Sequence, residues 1–167
     1  MRLTDNGDLL VGKTSVEYTS EGFSLRERGE AYITSDGRAP LLVNRLTSDG
    51  DIASFRKDGT PVGSISVTSS ATAYNTSSDQ RLKENIADAD DAGSKVDSIK
   101  VRKFDWIADG SHQDYGMIAQ ELIEVAPEAV SASEDPEDMM GVDYSKLVPM
   151  MLKEIQSLRA RVAQLES

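Results

Sequence analysis

The chain has 167 residues, 38% hydrophobic and 5% aromatic, with no cysteine and a formal charge of −11. That length suits one ordinary domain or two small ones, and so few large apolar side chains make a thin core, which favours subunits that share one. The acidic balance argues against a nucleic-acid partner, which would need clustered Lys and Arg, and against an anionic membrane surface; the absence of thiols excludes disulfides and thiolate metal sites.

From residue 1 to about residue 70 the pattern is β. Asn6-Gly7, Asp36-Gly37, Asp49-Gly50 and Asp58-Gly59 supply the positive-φ positions of tight turns. Short apolar runs lie between them: Leu9 to Val11, Leu41 to Val43, Ile52 to Phe55 and Ile65 to Val67. Strands this short and poor in aromatics fit a β structure wound from several chains better than a closed single-chain sandwich. MRLTDNGDLL lacks the apolar core of a signal peptide, and no later run reaches bilayer length. Gly7 to Thr14, GDLLVGKT, spells a phosphate-loop pattern. Its interior reads as a strand, however, and the β-prone Ser15 to Thr19 follows where a helix is required, so the match is a coincidence of letters.

SVTSSATAYNTSS, residues 66–78, is Ser/Thr-rich and almost uncharged. It reads as a linker or a solvated extended segment, and as the domain boundary. NTSSDQRLKENI, from Asn75 to Ile86, overlaps it. One reading is a helix cap in which Ser78 or Asp79 accepts the first amides of a helix carrying Leu82 and Ile86. The other is a nucleophile, Ser78, with Lys83 as its base, which needs a neutral amine; Arg81 could add to the local cationic field. On one α-helix five residues turn through about 500°, so the two side chains would not share a face. The pair works only if Ser78 precedes the helix or Lys83 comes from another chain.

Beyond Asp79 the pattern becomes α+β. Lys95 to Ile99 is a short amphipathic piece, and Val101 to Ile107 reads as a strand with Phe104 and Trp106 on one face. Tyr115 to Val125 starts extended and turns helical, with Ile118, Leu122 and Val125 on one stripe, until Pro127 stops it. SASEDPEDMM, from Ser131 to Met140, reads as a solvated acidic loop, since its spacing does not fit a calcium loop. The single histidine, His112, would have to serve any Ser-His-Asp triad, but it sits in the turn-like DGSHQDYG. No paired carboxylates suggest a glycosidase, and neither a cofactor nor a metal is expected. In the C-terminal helix Val148, Met151, Ile155, Leu158, Val162 and Leu165 step by 3, 4, 3, 4, 3, an a/d seam. By itself the seam fits either a helix packed on its own domain or a short parallel coiled coil. Its Ile and Val at a and Leu at d lean towards two strands.

Three blocks occur in order: SSDQRLKENI, YGMIAQELIEVAPEAV and GVDYSKLVPMMLKEIQSLRARVAQLE. Together they resemble the endosialidase-type C-terminal intramolecular chaperone domain of bacteriophage tail spikes and fibres, a family of self-cleaving serine peptidases. The resemblance runs from about Ser77 to the end, and LLVNRLTSDGDIASFRKDGTPVGSIS is more loosely similar to the β stem that precedes such domains. It implies a homotrimer and an α+β fold. Residues 1–77 would form an intertwined β-stranded stem segment. Residues 78–167 would form a mixed α/β chaperone domain ending in a long helix and a short trimeric coiled coil. It implies that the chaperone assembles the stem in cis and then cuts itself off before the serine of a Ser-Asp-x-Arg-x-Lys motif. On this chain those residues are Ser78, Asp79, Arg81 and Lys83, and the bond is Ser77–Ser78. Assembly would take place in the host cytoplasm, with the stem kept in the virion tail and the chaperone released. Nucleic acid and membrane insertion play no part, and any host receptor would be met by upstream domains. The alternatives are a non-cleaving structural tip, with Ser78 and Lys83 as a mere cap, and a host-binding head using loops such as Glu134 to Met140.

Overall fold

Local turn chemistry builds the first half of the chain. The structure is a computed structural model that describes all 167 residues, in two compact units, Met1–Glu84 and Asn85–Ser167. In the first unit β1 (Arg2–Leu3), β2 (Leu9–Val11), β3 (Gly22–Leu25) and β4 (Ala31–Thr34) form an antiparallel meander in sequence order. Leu10 faces Ser24 across β2 and β3, and both are fully buried. Beside them the buried Asp8 accepts the Glu27 amide at 3.1 Å. This core is as thin as the composition implies. The GDLLVGKT match is strand β2 with positive-φ glycines, Gly7 and Gly12, outside it. Lys13 Nζ donates to the carbonyls of Glu17 at 2.6 Å and Ser20 at 3.3 Å, so nothing here cradles a phosphate.

A second antiparallel sheet holds β5 (Gly50–Lys57), β6 (Thr60–Val67) and β7 (Thr72–Thr76), in that order. Asp58 and Gly59 link β5 to β6, both at positive φ (50° and 80°), the two-residue turn whose twist matches the strands. Two sequence expectations fail in this unit. Leu41 to Val43 forms no strand and is exposed. Of the two readings of residues 66–78 the linker fails and the solvated extended one holds, because Thr72–Thr76 is β7, an exposed edge strand paired along its whole length with β6. Thr and Tyr are β-prone, and Asn75 Nδ2 fixes the pairing through the hydroxyls of Ser64 (3.2 Å) and Ser66 (2.9 Å). Polarity alone suggested solvation; what it marks is a strand that faces water on its side chains.

In the second unit α1 (Gly93–Ser98) precedes the hairpin of β8 (Arg102–Asp105) and β9 (His112–Gly116). A single α-turn, α2 (Ala119–Leu122), follows, then a 3₁₀ turn at Pro127–Ala129 and the small ladder of β10 (Val130–Ser131) and β11 (Gly141–Val142). The 3₁₀ turn Tyr144–Leu147 leads into α3 (Val148–Leu165), where Pro149 occupies the first turn at no cost in hydrogen bonds. Leu122, Ala126, Ala129 and Leu147 form the core, with Ile99, Met117, Val130, Val142 and Met150 packed against it. The helical reading of Tyr115 to Val125 shrinks to α2, because the hairpin claims the chain up to Gly116. Phe104 and Trp106 pack edge to face, with ring centroids 5.3 Å apart. Glu121 ties α2 to β8: Arg102 donates to it through Nε at 2.9 Å and Nη2 at 2.6 Å, and Lys100 at 3.4 Å. These cations, Arg102 foremost, hold the Glu121 carboxyl down at about 2.

Candidate active site

Ser77 is held by the sheet. Its amide donates to the Val62 carbonyl at 3.2 Å, one step past the last registered pair of β6 and β7, and its hydroxyl reaches the Pro61 carbonyl at 3.4 Å. The approach to Ser78 is therefore exposed, as the sequence suggested, but it is pinned along a strand rather than loose.

Immediately after Ser78 the chain makes one 3₁₀ turn, Gln80–Leu82. Asp79 caps it by accepting the Arg81 amide at 2.8 Å. The same carboxylate takes the Arg81 guanidinium as a fork, Nε at 3.0 Å and Nη2 at 2.7 Å. That guanidinium, with the Arg81 amide and the charge of Lys83 behind it, lowers the Asp79 pKa below the ordinary carboxylate range. Amides of Leu82 and Lys83 donate to the carbonyls of Asp79 and Gln80. Lys83 then leaves in extended geometry (φ −129°, ψ 144°), and its Nζ donates to Ser78 Oγ at 2.7 Å. The helix expected to carry Leu82 and Ile86 does not form; the turn ends at once and Asn85 adopts φ +52°. That failure brings the pair together. A continuous α-helix would have put residues five apart on different faces, whereas Ser78 before a single tight turn and Lys83 after it meet within one chain. Ser77 to Glu84 are all exposed, so the pair has a nucleophile and an amine in reach but no shield from water of its own.

His112 belongs to the second unit, on β9. Its Nδ1 lies 2.5 Å from Asp105 Oδ1 and its Nε2 3.4 Å from Asp114 Oδ1, so local carboxylates engage both ring nitrogens. A cavity of about 790 Å³ also lies in the second unit, between Phe104, Trp106, Met117, Val142 and Tyr144, and none of the motif residues lines it. The backbone groups that hold Ser77, on Pro61 and Val62, were missed by sequence reasoning. The available signal was the Asp58-Gly59 hairpin together with the β-prone Thr72 to Thr76.

Residues 78–131 match the family model for the chaperone of endosialidase. The first residue of the matched segment is thus the serine that Lys83 reaches, and the family resemblance carried by the motif extends over this stretch. The segment runs through α1, β8, β9 and α2 to the end of β10. Two relatives are both described as long tail fiber protein Gp37. The protein of Enterobacteria phage K3 is 31% identical over 94% of this chain, and that of Enterobacteria phage T2 is 25% identical over 98%. The chain spans 12% of the length of each. No helix is long and apolar enough to cross a membrane.

Proposed function

We propose that residues 78–167 are a trimerisation chaperone for the β-rich residues 1–77 of a phage tail fibre chain, and that the two parts separate by autoproteolysis at Ser77–Ser78. The observation that carries this reading is the 2.7 Å contact of Lys83 Nζ with Ser78 Oγ at the first residue of the family match. In the proposed reaction Lys83, as the free amine, takes the Ser78 hydroxyl proton while Oγ bonds to the Ser77 carbonyl carbon. The tetrahedral species collapses with loss of the C–N bond, and the Ser78 nitrogen takes a proton to become an amine. Water then cleaves the resulting ester, leaving a carboxylate on Ser77 and restoring the Ser78 hydroxyl. Two requirements are unmet on the exposed surface of one chain: a dry setting, which favours the neutral amine, and donors for the oxyanion. A neighbouring chain laid over Ser77 to Glu84 supplies both, which would couple cleavage to assembly.

The α3 seam supports association. Val148, Met151, Ile155, Leu158, Val162 and Leu165 are 44–88% exposed, and although Met150 packs against the core of its own unit, no residue of the helix is fully buried. Fewer than three heptads are marginal for an isolated helix, so the seam gains its stability by pairing with other copies. Three rather than two is the number implied by the family resemblance. A cap of this kind holds three chain ends together and sets their register, which helps a β structure of non-local pairings that nucleates slowly. Removing it afterwards leaves the fibre kinetically trapped.

The intact mass of freshly expressed protein tests this reading. Fragments ending at Ser77 and beginning at Ser78 are expected. A single uncut mass in fully assembled protein would overturn the cleavage and leave a structural tip, a reading favoured by the fact that Asp79 and Arg81 already complete a self-sufficient turn.

A further inference from the structure

The reading above places the bond to be cut between two elements of one unit, the β6–β7 sheet edge and the capped turn. The turn presents Ser78 and Lys83; the sheet holds Ser77 by its amide and hydroxyl, the residue whose carbonyl they would attack. We propose that the pairing of β7 on β6 is the positioning device for this cleavage, with Gly63 and Asn75 as its positioning residues, so that the bond breaks only after the last sheet of the β-rich unit has formed.

Three independent features converge on this edge. First, the β5–β6 register steps from Phe55↔Gly63 to Arg56↔Pro61, leaving Val62 as the extra residue of a bulge. Bulges bend a strand and re-aim its groups, and the bulged Val62 supplies the carbonyl that takes the Ser77 amide. Second, β7 comes so close to Gly63 that a Cβ there would stand 2.8 Å from the Asn75 carbonyl oxygen. The φ at this glycine is unremarkable for an L-residue; the space is what forbids a side chain, and any larger residue must lift β7 away. Third, Asn75 Nδ2 bridges Ser64 and Ser66 on β6. A slip of one residue would turn it to the other face and carry Ser77 off Val62. None of these groups reaches the reacting atoms. They act by holding Ser77 while the turn holds Ser78, and an error of about 1 Å in such an arrangement costs about 10²-fold in rate.

The test is the rate of cleavage in the full chain, measured by intact mass on assembled protein isolated by size exclusion, for wild type, Gly63→Val and Asn75→Ala. Gly63→Val is expected to slow cleavage by about 10- to 100-fold, and Asn75→Ala by a smaller factor. Both should lower the rate evenly across pH, because the Ser78–Lys83 pair itself is untouched; loss of the base would instead change the shape of the pH profile. Wild-type rates in both assembled variants, in a protein that does cut, would overturn the positioning role and leave the Ser78–Lys83 reading standing. Failure of the wild type to cut overturns both. If Gly63→Val does not assemble, Asn75→Ala and the hydrogen exchange of the Ser77 amide in uncut Ser78→Ala protein decide the question. Protection of that amide, lost in the Asn75→Ala, Ser78→Ala double variant, is the expected result; free exchange in Ser78→Ala overturns it.

Discussion

Lys83 Nζ lies 2.7 Å from Ser78 Oγ because one 3₁₀ turn, not an α-helix, separates them. The turn is closed by Asp79, whose carboxylate accepts the Arg81 amide and both arms of its guanidinium fork. Two residues that carry no chemistry themselves thus fix the distance between two that could.

Ser78→Ala is expected to abolish cleavage, and Lys83→Ala to slow it by about 10²- to 10⁴-fold, the usual worth of a positioned base. Intact mass of each variant against wild type gives the answer. Unchanged fragments from either would remove that residue from the mechanism.

Arg81→Ala and Asp79→Asn should slow cleavage by about tenfold without abolishing it, because a loosened turn still lets Lys83 visit Ser78. An ionised Asp79 is needed for the fork. Its folded pKa is lowered by Arg81, so the fork is fully present above the ordinary aspartate value, about 3.9, and is lost as pH falls through the lower folded value. The turn is accordingly expected to be insensitive to pH between about 5 and 8, which a pH series of cleavage rates in Asp79→Asn and wild type checks: their ratio should be constant over that range.

On α3, Ile155→Asp or Leu158→Asp places a carboxylate in the exposed apolar seam. Burying an unpaired charge costs several kcal/mol, on the order of a salt-bridge-breaking change (about 3–5), enough to dissociate a short coiled coil. If the proposed assembly forms, light scattering should show it falling to monomer, and the rate of the proposed self-cleavage should fall with it. A monomer that cuts at the wild-type rate would separate cleavage from assembly.

Glu121 is expected to make the second unit sensitive to acid. Its carboxyl is held at about 2 by Arg102 and Lys100, against an ordinary glutamate value of about 4.3. A depressed folded pKa means that the stabilisation is complete above the ordinary value and is lost as pH falls from there towards about 2. Glu121→Gln should therefore lower the thermal midpoint at pH 7, while flattening the dependence of that midpoint on pH between about 4.5 and 2. Parallel curves for variant and wild type would count against the linkage.

Several features were legible in the letters because they depend on local chemistry. Asp58-Gly59 announced its hairpin, since positive φ at two successive residues is what a two-residue turn demands. The six seam residues announced their helix face through spacing alone. The thinness of the first core followed from composition, and Leu10 with Ser24 at its centre bears that out. The letters leave Thr72 to Thr76 open between linker and strand because a Ser/Thr-rich edge strand and a solvated linker have the same polarity. They differ only in whether a partner strand is present, and the partner is β6.

The sequence by itself determined which residues could carry chemistry at the junction. Ser78, Asp79, Arg81 and Lys83 stand in motif order at the first residues of the family match. Tertiary structure decided whether they meet. A spacing of five is neutral between apposition and separation, because the angle between two side chains depends on the dihedrals of every residue between them. Here the Asp79 cap and the abrupt exit at Lys83 set those dihedrals, and the pairing of β7 with the bulged β6 holds the Ser77 amide on the Val62 carbonyl.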